Sequence, residues 1–209
     1  MKRLGFLLLA LTLLLALLPV AAQSTPDLTA LAQYFPANTP VYVSLRTDDG
    51  HFDALESIRT RIAAALPTGL TDGTTVPMAL DQFVGSMLQS DGTFAADVRP
   101  WLGDSMAFGL LNLDAMTKQQ DNGPYVVVLG ITDRAAAEAF FLGFMQPRLD
   151  VQVETTDAYT LLTPSHPDMP PMALYIDDQV LIITNKPDAL PAGGPIRSPL
   201  SEADMFQTA

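Results

Sequence analysis

The chain has 209 residues, with 23 acidic and 11 basic side chains, a formal net charge of −12 and no cysteine. This length leaves room for one domain or two very small ones. The negative charge excludes binding to nucleic acid by phosphate neutralisation and argues against docking on an anionic membrane through basic residues. Without cysteine the fold has no disulfides and no thiolate metal sites, so burial and hydrogen bonding must stabilise it.

Residues 1–22 have the pattern of a secretory signal peptide. Lys2 and Arg3 form a positive start, residues 4–18 are nearly all leucine and alanine, and Pro19 precedes small side chains that suit signal peptidase. We therefore predict export, a mature start at Gln23 and a single domain over residues 23–209 with a formal charge of −14. The alternative is an uncleaved membrane anchor, because the apolar stretch is close to the lower limit of about 17 residues for spanning a bilayer.

The first half of the mature chain is predicted to contain helices and one strand. A short helix that opens at Thr25-Pro26-Asp27 and stops at Pro36 precedes a strand at 41–46, where apolar and polar side chains alternate. Apolar residues at helical spacing predict two further helices, at 52–66 and 76–88, and the segment 94–98 is ambiguous. The apolar stripe of the first of these helices comprises Phe52, Leu55, Ile58, Ile62 and Leu66, and the buried face of the second is expected to comprise Leu80, Phe83, Val84 and Met87.

The second half is predicted to be rich in strands. Residues 105–113 and 124–132 are expected to pair as a hairpin, and Asp133 caps a helix over 134–145. Short β-branched runs on short connections favour an α+β fold, with a mainly antiparallel sheet and helices packed on one face. A helix starting at residue 201 would be cut off after two turns, which suggests a domain that is incomplete at its C-terminus. The remaining strands are predicted at 151–154, 159–162, 172–176 and 179–184, with Asp177-Asp178 as the turn of the last hairpin.

Several fragments, in their order along the chain, resemble one family. They are Tyr34 to Ser44 (YFPANTPVYVS), Val98 to Asp104 (VRPWLGD), Val126-Val127-Val128 leading to Ala135 to Phe140, Gln179 to Asn185, and Ser198 to Phe206. Together they are similar to the bacterial domain of unknown function (DUF) family 3352, from about Leu31 to the C-terminus. The resemblance implies an exported protein with no established activity. Family members are usually longer, so the resemblance also implies that this chain corresponds to about the first half of the family pattern.

One segment has the residue types of a metal site. Asp48, Asp49, His51 and Asp53 supply three carboxylates and one imidazole that could meet a divalent cation. The alternative is a turn into a helix, with Asp49 or Gly50 as the cap and Asp53 favourable near the helix N-terminus. The spacing lacks the alternating acids of a calcium loop, so we favour the cap and predict no metal ligand.

Other candidate groups also have structural explanations. His166 lies among prolines and is expected in a surface loop. Neither Ser86 nor Ser105 lies in a nucleophile elbow, and Gly193-Gly194-Pro195 lacks the residues of a phosphate-binding loop. Trp101 is interpreted as a core residue, with an exposed contact for a glycan or a protein as the alternative. Phe140, Phe141, Phe144 and Met145 are likewise expected in the core, and would indicate a protein interface only if they formed an exposed patch.

The sequence therefore favours a non-enzymatic exported domain that binds a protein or takes part in a cell-envelope assembly. We predict no catalytic residue, no cofactor, no nucleic-acid partner and no membrane contact beyond the signal segment. The alternative is an extracytoplasmic hydrolase that uses Asp48, Asp49 and Asp53 with a metal ion. A third hypothesis is pairing with a second copy, or with an adjoining chain, through the unfinished C-terminal edge.

Overall fold

The computed structural model describes residues 27–65, 74–88, 92–113, 123–166, 170–190 and 199–203. The expected signal peptide at 1–22 therefore lies outside the described residues. In the described part, seven strands form one antiparallel sheet that is accompanied by helices, which confirms the α+β class. No helix in these ranges is long and apolar enough to cross a membrane.

The α-helices and strands of the described part lie close to the predicted ones. The three α-helices that position the site are α1 (Asp49–Ala65), α2 (Val76–Leu88) and α3 (Arg134–Met145). A single π-helical turn occupies the ambiguous segment, Phe94–Val98. The strands are β1 (Val41–Arg46), β2 (Leu102–Leu110), β3 (Tyr125–Ile131), β4 (Asp150–Thr155), β5 (Thr160–Ser165), β6 (Ala173–Ile176) and β7 (Val180–Thr184).

The sheet order is β1-β2-β3-β7-β6-β5-β4, and every neighbouring pair is antiparallel. β2 and β3 pair as expected for a hairpin. The four C-terminal strands form a meander that returns to the middle of the sheet, where Val128 of β3 lies opposite Ile182 of β7. Short antiparallel connections explain the meander, whereas the β3–β7 pairing joins segments that are distant in sequence.

Alternating side chains give the sheet two apolar faces. On one face, Leu174, Ile176 and Leu181 pack with Val84 of α2 and Phe141 of α3. This confirms that α-helices pack on one face of the sheet. The opposite face is covered by short 3-10 turns, Ala30–Tyr34, Pro187–Ala189 and Leu200–Glu202, which pack around Val126, Val128, Tyr175, Val180 and Ile182.

Three local predictions change in the structure. The helix expected to open at Thr25-Pro26-Asp27 is, in its described part, a 3-10 helix, Ala30–Tyr34. The helix expected from residue 201 is a 3-10 turn, Leu200–Glu202, and residues 204–209 lie outside the described part. The turn between β6 and β7 is shifted by one residue, because Asp177 N donates to Val180 O at 3.0 Å. Its two loop residues are Asp178 and Gln179, and the Asp177 carboxylate accepts from Gln179 N and Val180 N at 2.8 Å each.

Candidate functional site

Asp48 is the N-terminal cap of α1. Its carboxylate accepts a hydrogen bond from His51 N at 3.1 Å, and it accepts two from the Arg46 guanidinium at 2.6 and 2.8 Å. The hydrogen bonds from Arg46 are the main reason why the pKa of Asp48 is lowered. The predicted cap at Asp49 or Gly50 is therefore wrong by one residue or more, because the helix already begins at Asp49.

Arginine also holds the second carboxylate of this segment. Asp49 Oδ1 lies 2.8 Å from Arg99 Nε, and the same guanidinium approaches Asp104 at 3.9 Å. Arg99 Nη1 donates a hydrogen bond to Thr47 O at 3.1 Å. The Arg99 side chain therefore connects the start of α1 with the residue that follows β1 and with the beginning of β2. Among the described residues, no group of three or more His, Asp or Glu side chains is arranged to hold a metal ion.

The His51 imidazole is enclosed at the start of α1. Its Nε2 atom is buried and has no hydrogen-bond partner in the described part of the chain. Burial lowers the pKa of His51, Asp48 opposes that effect, and Arg46 adds to it. The lowered pKa means that the ring favours its neutral form. Among the described residues, His51 belongs to no group of acidic side chains that could hold a metal ion.

His166 lies at the surface, as expected, beside a shallow groove of about 410 Å³. Four of the groove residues are prolines, and the polar ones other than His166 come from β4 and β5. Because proline side chains carry no polar atom, the groove offers few groups that could bind or react with a ligand. The lining residues are Gln152, Thr163, Pro164, Ser165, His166, Pro170, Pro171, Met172 and Pro187.

The aromatic candidates lie in the core. Trp101 is 3% exposed, and its ring centroid lies 5.4 Å from that of Phe140 and 5.9 Å from that of Phe141. Phe141 and Met145 are buried, and Phe144 is partly buried beneath the Arg148 guanidinium, which lies 5.1 Å from its centroid. The core interpretation of these side chains is confirmed, and they do not form an exposed patch.

The serine candidates are accounted for by local structure. Ser86 lies in α2 and its hydroxyl donates to Phe83 O at 2.7 Å, while Ser105 lies within β2. Neither occupies a sharp turn between a strand and a helix, which a nucleophile elbow requires. Gly193-Gly194-Pro195 lies outside the described residues.

The exposed side of α2 was missed by sequence reasoning. Phe83, predicted to be in the core, is 61% exposed, and Met78 is 49% exposed. The prediction was correct for Val84, which is 1% exposed, and the side chain of Met87 is not described. The reason is a rotation of the helix: Asp81 faces the π-helical turn, and its carboxylate accepts a hydrogen bond from Phe94 N at 2.8 Å.

This exposed side carries no charge. We call it the uncharged face of α2, and all of its members are exposed. A helix face exposed to water normally carries charged residues, whereas this one carries two large apolar side chains beside the polar Gln82 and Ser86. The sequence contains no clear signal of this orientation, because the one acid of the helix, Asp81, lies outside the expected stripe and faces the packed side through its hydrogen bond to Phe94 N. The face consists of Met78, Ala79, Gln82, Phe83 and Ser86.

Comparison with known proteins gives one match. Residues 4–192 match a family model described as "Protein of unknown function (DUF3352)". The match confirms the resemblance, but it begins at residue 4 rather than at Leu31, and the fragment Ser198 to Phe206 lies beyond its end. No curated protein and no solved structure matches the chain.

Proposed function

The chain belongs to the DUF3352 family of proteins of unknown function, and from this premise we propose that it is an exported, non-catalytic domain that acts by binding a protein partner. The observation that carries the proposal is the uncharged face of α2. It exposes Phe83 and Met78 although the chain as a whole is strongly acidic. Burying a fully exposed side chain of this kind is worth about 1.5–3 kcal/mol, and Phe83 and Met78, at 61% and 49% exposed, would gain about half of that each. Aromatic residues dominate the energetics of protein contacts.

Export is supported by the pattern of residues 1–22. The test is N-terminal sequencing of protein recovered from outside the cytoplasm of its native cells. We expect the mature chain to begin at Gln23. Membrane-bound protein that retains Met1 would show that the chain is anchored in the membrane by an uncleaved N-terminal segment instead of being secreted.

Binding through α2 is tested by photo-crosslinking in the native cells. A photoreactive phenylalanine analogue replaces Phe83 in one variant and Val153 in a control variant, because Val153 is also an exposed apolar residue (47%) but lies on strand β4. We expect a discrete protein adduct from position 83 that position 153 does not give. The same adducts at both positions, or none at either, would contradict the proposal.

The hydrolase alternative has less support, because arginine side chains engage two of its three carboxylates, those of Asp48 and Asp49. It makes a separate prediction that calorimetry tests. Titration with calcium or zinc would show stoichiometric binding that disappears in Asp49→Ala. That result would restore a metal-dependent function at this turn, whereas absence of binding supports a non-catalytic domain.

A further inference from the structure

We propose that strand β4, at the edge of the sheet, binds an extended, positively charged segment of a partner protein as an additional antiparallel strand. This inference goes beyond the proposed function, because it concerns a different element of the structure from α2. Its support comes from the free backbone groups of β4, from the alternation of its side chains and from the charge of the hairpin to which it belongs.

β4 is the last strand of the sheet. Only β5 pairs with it among the described residues, so its other side has no neighbouring strand. Five of its six residues are exposed, and Val153 is 47% exposed. An edge strand of this kind presents a row of unpaired backbone N–H and C=O groups, to which an extended segment can add.

The register of the β4–β5 hairpin identifies these free groups. Thr156 N donates to Tyr159 O at 2.8 Å across the turn, so the two residues form a hydrogen-bonded pair. Hydrogen-bonded and non-hydrogen-bonded pairs alternate along an antiparallel ladder. Every second residue of β4 therefore directs its N–H and C=O away from β5, and these residues are Val151, Val153 and Thr155.

Pro164 of β5 agrees with this assignment. It lies opposite Val151, where β5 donates no N–H to β4, so the proline costs this hairpin no hydrogen bond. β4 itself contains no proline or lysine, and its register runs without a bulge. Proline, lysine and bulges commonly protect a sheet edge from pairing, and β4 has none of these obstacles to a further strand.

The side chains of β4 differ between the two faces of the sheet. Val151 packs against the core on the α-helical side, and alternation places the other odd-numbered residues of the strand on the same side. The even-numbered residues lie on the opposite side and include Asp150 and Glu154. Directly opposite side chains attract each other when both are apolar and β-branched, or when their charges are opposite. A strand that fits β4 therefore alternates apolar residues with lysine or arginine.

The charge of the hairpin favours such a basic strand. Residues 150–165 contain three acidic side chains and no basic one. Arg134 contacts the turn of the hairpin, but Glu138 already holds its guanidinium at 2.9 Å. The chain as a whole has a formal charge of −12, so an acidic strand would be repelled. Lysine or arginine opposite Asp150 and Glu154 would instead be attracted.

The probe for this edge is a labelled seven-residue peptide in which lysine and valine alternate, beginning and ending with lysine. Its valines then lie opposite the three residues of β4 whose backbone groups are free. Fluorescence anisotropy with the natural chain should show binding that weakens at least about threefold when salt is raised from about 50 mM to about 500 mM. A peptide with its lysines in one block and its valines in another has the same charge without the alternation, and it should bind at least about tenfold more weakly.

Methylation of the peptide backbone reports the geometry of binding. In the added strand the valines direct their N–H groups towards β4, whereas the lysine N–H groups point away from it. Methylating the valine nitrogens should therefore abolish binding, and methylating the same number of lysine nitrogens should weaken it less than about threefold. Equal losses, or a larger loss from the lysine positions, would overturn the inference, because the peptide would then be held by charge alone or in another register.

Variants of the chain locate the contact. Val153→Pro removes an outward N–H that makes no bond to β5, and edge strands tolerate proline at such a position. It should weaken binding at least about tenfold, whereas Val153→Thr, the matched control, retains the N–H and the β-branched shape and should stay within about threefold. Circular dichroism checks that the proline variant is folded. If it is not, the double change Asp150→Asn and Glu154→Gln serves in its place and should remove most of the salt dependence.

The remaining outcomes separate this inference from the proposed function. Phe83→Ser should bind the peptide as the natural chain does, because α2 takes no part in the contact. No binding by the natural chain would overturn the inference, as would a folded Val153→Pro variant that binds unchanged. Neither result would affect the proposed function, which depends on the adduct formed at position 83.

Discussion

The indole Nε1 of Trp101 donates a hydrogen bond of 2.7 Å to the backbone carbonyl of Asp97. This bond joins the π-helical turn to the beginning of β2, and the same ring packs against Phe140 and Phe141 of α3. One side chain therefore connects the turn, the sheet and the helix that covers it. Because the indole N–H is satisfied inside the core, the tryptophan is a structural residue rather than an exposed contact.

Replacing Trp101 with phenylalanine should lower the free energy of unfolding by about 2 kcal/mol. The change leaves the Asp97 carbonyl without its donor and removes part of a buried ring, and both losses are costly. Urea denaturation followed by circular dichroism measures the effect. A loss below about 0.5 kcal/mol, the usual range for surface substitutions, would contradict a core role for this residue.

Neighbouring positions 83 and 84 should differ sharply in their contribution to stability. Val84→Ala should cost about 2 kcal/mol because Val84 is 1% exposed, whereas Phe83→Ser should stay within about 0.5 kcal/mol because Phe83 is 61% exposed. The single, buried Trp101 provides a fluorescence signal for unfolding of both variants. A large loss from Phe83→Ser at a concentration where the chain is monomeric would return Phe83 to the core and remove the basis of the proposed function.

Two glycines should respond in opposite ways to alanine. A Cβ atom at Gly103 in β2 would lie 2.8 Å from the carbonyl carbon and oxygen of Gly130 in β3, so Gly103→Ala should destabilise the fold by about 2 kcal/mol. Gly143 in α3 has nothing within 4 Å of an added Cβ, and Gly143→Ala should stabilise the helix by about 1 kcal/mol. Thermal unfolding of both variants tests the pair. An unchanged melting temperature for Gly103→Ala would mean that β2 and β3 are farther apart there.

The fold should lose stability as the pH is lowered, because the His51 side chain is enclosed. Its folded pKa lies below the ordinary value of about 6.5, mainly because of burial, so the unfolded chain binds the proton more readily. The stabilisation is complete above about pH 6.5 and is lost as the pH falls through the lowered folded pKa. Arg46 and Asp48 are the charged groups that act on this ring, and both are retained in the test variants.

Substitution of the two histidines separates this effect from other titrations. His51→Leu should lose less stability than the natural chain between about pH 7.5 and about pH 5, and His166→Leu should behave like the natural chain because it leaves His51 in place. The measurement is urea denaturation at a series of pH values. Identical pH profiles for His51→Leu and the natural chain would show that His51 is not enclosed.

A second pH effect is expected at stronger acidity, where α1 meets α2. Glu56 Oε2 accepts a hydrogen bond from Val76 N at 2.8 Å, and hydrogen bonds from Arg59 are the main reason why its pKa is lowered to about 2. The stabilisation from this group is present above its unfolded pKa and is lost as the pH falls through the folded value. Glu56→Gln should weaken the acid dependence in that range, as monitored by circular dichroism. An unchanged acid transition would contradict the contact between Glu56 and the N-terminus of α2.

Much of the local structure could be predicted because its signals are local. The alternation of residues 41–46 identifies β1, and the predicted limits of α2 and α3 agree with the structure. Asp133 caps α3 as expected, since its carboxylate accepts from Ala136 N at 3.0 Å. A cap or an alternating strand depends on residues a few positions apart, so the sequence alone contains the necessary information.

The candidate site was less predictable. Asp48 and Asp49 looked equivalent along the chain, but one meets Arg46, two residues away, and the other meets Arg99, fifty residues away. Ion pairs between distant segments depend on how the sheet brings them together. The same applies to Phe83, whose apolar character suggested burial until the orientation of α2 on the sheet was known.

The sequence by itself determined the α+β class, the limits of most strands and helices, and the acidic, cysteine-free character of the chain. It also predicted export from the pattern of residues 1–22. Only the tertiary structure decided that β7 pairs with β3, that arginines hold the acidic turn, and that α2 leaves Phe83 in water. Local propensity and periodicity act over a few residues, whereas burial and pairing depend on contacts between segments that the chain order does not specify.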